Sequence, residues 1–144
     1  MSDLVRSDLV KLRAVLTNAR HGLRGASGEA VTLLGEALRS AVARFGEGDP
    51  RFFGLRREYA AALVGVGRAA EAEPLARSAM ELFTKEIGEN GAGSVRAQVT
   101  LGAAIAAQGR LDDAEKVLAD IVERTTRVYG AEDIDTLRAR VALA

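Results

Sequence analysis

Along residues 111–129 the apolar positions Leu111, Ala114, Val117, Leu118, Ile121, Val122, Val128 and Tyr129 recur mostly three or four apart. Asp112, Asp113, Glu115, Lys116, Asp120, Glu123, Arg124 and Arg127 fill the gaps. This spacing draws one apolar stripe down an α-helix, with a charged face opposite. Moved back by 42 residues, the stripe returns as Ala69, Ala72, Leu75, Ala76, Ala79, Met80, Phe83 and Ile87. Moved back once more it reads Ala30, Leu33, Leu34, Ala37, Leu38, Ala41 and Phe45. Leu118 and Ile121 are therefore expected inside the fold, and Asp112 and Lys116 outside it.

The stretch before each of these helices has a different pattern. From Val95 to Ala107 apolar or small residues occur on every side. A helix of that kind is covered all round. It is read as an inner helix between outer ones, with Gly102, Ala103 and Ala104 allowing close backbone approach.

Glycines punctuate the same period. Gly67 stands 42 residues after Gly25 and 42 before Gly109, and Gly46, Gly88 and Gly130 form a second series in step. Glu29-Ala30, Glu71-Ala72 and Asp113-Ala114 keep the same register. Gly67 and Gly109 fall where a helix C-terminus needs a left-handed residue. Asp49-Pro50 offers an N-cap followed by proline at the first helical position. Ser94 and Asp135 are the expected caps in later copies, and Pro74 is placed in a first turn, where its missing N–H costs little.

These signals predict helix pairs at 4–24 with 27–45, 50–66 with 69–87, and 94–108 with 111–129, then a terminal helix from about 135 to 144. The chain is thus read as one all-α domain, 1–144, built as a solenoid of antiparallel helix pairs. Its units are repeat 1 (about 4–46), repeat 2 (about 49–88), repeat 3 (about 93–130) and the terminal helix.

Composition narrows the function. The 20 Lys and Arg balance 20 Asp and Glu over 144 residues. A protein that depends on phosphate contacts carries a basic excess, so nucleic acid is not expected as a partner. No cysteine is present, which excludes disulfides and thiolate chemistry. No apolar run approaches the ~20 residues of a membrane span, and Met1-Ser2-Asp3-Leu4 has no signal-peptide pattern. No membrane partner and a cytoplasmic location are expected.

Leu101-Gly102-x-x-Ile105-x-x-x-Gly109-x-x-x-x-Ala114 resembles the tetratricopeptide repeat signature, and Gly67 with Ala72 repeats its end. The 42-residue period resembles the long kinesin-light-chain type, as does the Gly130-Ala-Glu-Asp-Ile-Asp-Thr-Leu stretch, with Ile134 where a proline is common. The resemblance covers residues 25–144; Thr17, Asn18 and His21 depart from it and mark residues 1–24 as a degenerate capping helix.

The resemblance implies a right-handed superhelix whose inner helices line a concave groove for a peptide or helix of a protein partner. Its groove positions map onto Leu12, Val15, Leu16, Ala19, Gly22 and Leu23 in the first copy. Gly54, Arg57, Glu58, Ala61, Val64 and Gly65 follow in the second, and Arg96, Val99, Thr100, Ala103, Ala106 and Ala107 in the third. Arg138, Val141 and Ala142 complete the set. The asparagines with which many relatives clamp a peptide backbone are replaced here by pairs such as Arg57-Glu58 and Val99-Thr100. What remains is an apolar floor with Arg57, Arg96 and Arg138 along it. Arginine anchors planar acidic groups, so an apolar partner segment bearing Asp or Glu fits this surface. The plainer reading pairs these arginines with Glu58 and its neighbours at the surface, where ion pairs are worth little.

Catalytic signals are weak. Gly65-Val-Gly67-Arg-Ala-Ala70 matches a dinucleotide pattern, but the helical repeat already accounts for Gly67 and no strand–helix alternation follows. Gly88-Glu-Asn-Gly-Ala-Gly93-Ser94 lacks the lysine of a phosphate loop. His21 is a lone histidine. Asp112 and Asp113, like Glu132 and Asp133, are adjacent and so diverge on a helix, which suits them to helix N-termini better than to acid–base chemistry. No enzyme, cofactor or metal is expected. Two readings stand beside the scaffold: self-association into a homodimer through Leu137, Val141 and Leu143 of the terminal helix, and a regulatory piece of a larger signalling or transcription protein.

Overall fold

The structure is a computed structural model that describes residues 28–143. Helix α1 spans Gly28–Phe45, and a single 3-10 turn at Pro50–Phe52 leads into α2, Phe53–Gly65. Then come α3 (Ala69–Ile87), α4 (Ala92–Ala107), α5 (Leu111–Tyr129) and α6 (Ile134–Leu143). No strand occurs among the described residues. Each helix packs on its neighbours in the chain, α2 also meets α4, and α4 also meets α6. Helices α2, α4 and α6 therefore form the inner layer of a right-handed all-α solenoid, and α1, α3 and α5 the outer one. The expected helix at 4–24, with its groove positions, Gly25 and His21, lies outside the described residues, as does Ala144.

The outer helices bury the stripe that their sequences repeat. Ala72, Ala76 and Ala79 of α3 are fully enclosed, as are Leu118 and Ile121 of α5, while Asp112 and Lys116 face water. Burying a leucine or isoleucine side chain stabilises by roughly 1.5–3 kcal/mol, so these positions hold the stack together. The stripe overhangs at its ends: Ile87, Leu111, Val128 and Tyr129 are exposed. Inner helix α4 buries Val95, Ala97, Leu101, Ala104 and Ile105. Gly102 permits the closest approach in the stack, because a Cβ there would stand 2.7 Å from Leu118 Cδ2.

Gly67 and Gly109 end the inner helices with φ of 82° and 86°, the left-handed conformation expected of them. The Asp49 carboxylate accepts from the Arg51 N–H at 3.1 Å, capping the 3-10 turn. Three local expectations are corrected. Ser94 is not a cap: Gly91 takes that place, and Ser94 lies inside α4 with its hydroxyl donating to the Gly88 carbonyl at 2.6 Å. Asp135 lies inside α6, which opens at Ile134, and the Asp133 carbonyl accepts from the Leu137 N–H at 2.9 Å. Pro74 is the sixth residue of α3, so the Ala70 carbonyl loses its helical donor there.

Polar straps fix one hairpin against the next. Gln108, after α4, donates to Glu73 of α3 at 2.7 Å, and Arg110 pairs with the same carboxylate. The Gln108 hydrogen bond, then Arg77 and Arg110, hold the Glu73 carboxyl below its ordinary range. Arg124 of α5 reaches Gln98 of α4, whose amide donates to the Glu89 carbonyl at 2.8 Å. The Tyr129 hydroxyl donates to the Asn90 carbonyl.

Candidate functional site

A helix presents one face through residues three and four apart. On α6 that face carries Ile134, Arg138 and Val141, with Leu137 and Ala142 beside them. On α4 it carries Val95, Arg96, Val99 and Thr100, and on α2 Arg57 and Glu58. Together they line one concave groove of about 720 Å³ on the inner side of the stack. A space of this size suits a few side chains of an extended or helical segment.

The groove changes character from end to end. At α2 it is ionic: Glu58 is 4% exposed and accepts from Arg57 Nη2 at 3.4 Å. In the middle, the Thr100 hydroxyl is turned back onto its own helix, donating to the Arg96 carbonyl at 3.0 Å. At α6 it is apolar, with Ile134, Leu137 and Val141 exposed by 55%, 42% and 78%.

Of the expected groove residues, Arg57, Glu58, Arg96, Val99, Thr100, Arg138, Val141 and Ala142 are brought together here. Ala61, Val64 and Ala103 do not line it; they sit half-buried nearer the C-terminal ends of α2 and α4, and Val64 packs against the main core. Ile134 was expected in a loop and Leu137 at a self-association face, yet both form groove wall. The spacing Ile134–Arg138–Val141 was the signal for the first. Among the described residues no group of three His, Asp or Glu side chains is placed to hold a metal ion, and no helix is long and apolar enough to cross a membrane.

A family model described as the tetratricopeptide repeat matches residues 95–135, which run from the first turns of α4 through α5 into α6. The chain carries a tetratricopeptide repeat. Two solved structures have the same fold over 92% of the chain, with TM-scores of 0.81 and 0.80 and 22% identity. Both are of Podosopora anserina TPR-like repeats described as nearly identical repeats of a kinesin light chain, one of them a single-substitution variant. The chain spans 63% and 64% of the length of these two solved chains. No curated protein sequence matches it significantly. The long kinesin-light-chain form of the repeat agrees with the 42-residue period of the glycines. Tetratricopeptide repeats build protein-interaction scaffolds, and the fold is a non-catalytic one.

Proposed function

We propose that the concave groove holds an apolar segment of a partner protein bearing Asp or Glu, as a peptide or a helix, and that the chain does no chemistry on it. The supporting observation is the joining of Arg57, Arg96 and Arg138 with the exposed Ile134, Leu137 and Val141 in one continuous surface. Apolar side chains would give the contact area, and the guanidinium groups orientation and choice.

Selection from a displayed library of random peptides tests this. Enrichment of segments that combine acids with large apolar residues is expected, and Arg96→Ala with Arg138→Ala should weaken their capture about ten-fold or more. Arg57 is left in place because it shields the buried Glu58 carboxylate. Unchanged capture by a variant with wild-type circular dichroism would reject the groove.

A homodimer is the second reading, favoured by the exposure of Leu137, Val141 and Leu143 on α6. Leu137 and Val141 also line the groove, so a second copy seated there would compete with a peptide. Sedimentation with and without a selected peptide separates the two.

A further inference from the structure

Three inner helices supply an arginine to the groove, but not in the same register. Arg96 and Arg138 are 42 residues apart, and Gly54 stands at their position in repeat 2. There the cation sits almost one turn later, at Arg57, and the next residue is Glu58. Ala97 and Ala139 follow the other two arginines. At the repeat position of Glu58 itself, α4 has Thr100 and α6 has Ala142. The groove therefore contains one carboxylate, placed asymmetrically at the α2 end.

That carboxylate is deeper than its cation: the Glu58 side chain is 6% exposed, the Arg57 side chain 21%. A buried charge is held only by partners that repay its desolvation. An incoming carboxylate at this end meets a guanidinium already engaged, and a negative charge beneath it. Two inner helices away Arg138 lies between Ile134 and Val141 on the same helix face, with the most exposed apolar side chain of the groove one turn from it.

Resting on the groove reading above, we infer that Glu58 is a specificity-determining residue: an internal carboxylate that occupies Arg57, closes the α2 end to acidic groups, and directs a ligand's acid to Arg138. The α2 end then accepts neutral or hydrogen-bond-donating parts of the ligand. Glu58→Gln keeps the shape, removes the charge, and opens a second place for an acid.

The measurement is a ratio of affinities, taken for an acid-bearing peptide selected from the displayed library on Glu58→Gln and for its Glu-to-Gln and Asp-to-Asn twin. On wild-type protein the ratio is modest, and Arg138→Ala reduces it. Glu58→Gln is expected to raise it roughly five-fold, an effect of the order that one charge exerts near a protein surface. A merely structural role would shift the melting midpoint and both affinities alike, leaving the ratio where it was. Should Glu58→Gln fail to fold, Arg57→Met with Glu58→Met removes the pair together and should leave the ratio unchanged. A clear fall in that double variant means that Arg57 serves the ligand directly and overturns the inference. An unchanged ratio in folded Glu58→Gln, with capture still lost in Arg96→Ala/Arg138→Ala, overturns the inference and leaves the groove standing. Loss of neither effect removes both.

Discussion

Repeats 2 and 3 fill equivalent space with different residues. Where α2 meets α3, Ala60 faces the position of Ala76, both fully buried; 42 residues on, Gly102 faces Leu118. Phe53 meets Phe83 edge-on at 5.5 Å in repeat 2, and its successor Val95 packs in a cluster with Leu118 and Ile121. The polar joints differ likewise: Arg56 reaches Glu47 at 3.5 Å, whereas Gln98 bonds the Glu89 carbonyl and takes Arg124 as a further partner. The period therefore preserves positions and summed volume, while individual side chains are exchanged against each other.

Leu118→Ala breaks this comparison most severely. It removes a 3% exposed side chain from the smaller cluster and should cost about 2–5 kcal/mol in urea unfolding. Gly102→Ala forces a Cβ onto that leucine and should cost about 1–3 kcal/mol. The double variant copies the alanine pair of repeat 2. It should be more stable than the sum of the single losses by about 1 kcal/mol, because the clash goes with the leucine. Strict additivity would show that the two positions do not share their space.

The inner-helix ends sharpen the comparison by being alike. Gly67 and Gly109 are both left-handed, and nothing lies within 4 Å of a Cβ added at either. Alanine at each should cost about 1–2 kcal/mol through backbone conformation alone. Equal losses in thermal melts are expected; a large inequality would mean that one repeat end is held by its neighbours and the other by its own glycine.

The helices and their layers were legible in the sequence because burial repeats with the period: Ala72 and Ala114 or Ala79 and Ile121 are enclosed at matching places. Cap positions were less legible. Ser94 has the chemistry of an N-cap, but the chain reaches helical conformation at Ala92 and the hydroxyl is used on the Gly88 carbonyl instead. Arg57, Arg96 and Arg138 were found from register, whereas Ile134 and Leu137 were not assigned to the groove. Their exposure depends on what covers the inner face, and a single sequence does not display that. Ala61, Val64 and Ala103 were over-assigned for a related reason. Register gives the face of a helix, but the length of groove in use depends on how neighbouring helices close toward their ends.

The smallest effect separates the two repeat starts by charge. Asp49 caps repeat 2, and Gly91 stands at the same place in repeat 3 with no side chain to titrate. Arg51, itself lying over the Phe45 ring at 4.8 Å, hydrogen-bonds the Asp49 carboxylate and holds its pKa below the ordinary 3.8. A depressed carboxylate contributes stability that is complete above its unfolded pKa and is lost as pH falls through the folded one. Asp49→Ala should therefore cost about 1 kcal/mol at neutral pH, as the loss of a cap does. Its difference from wild type should shrink only below about pH 4. Hydrogen exchange at pH 7 should show faster opening over residues 50–56 in the variant and no change over 92–98. A difference that survived undiminished to the lowest pH at which the protein folds would mean that Asp49 acts through packing or turn geometry. The charge contrast between the two repeat starts would then have no energetic content.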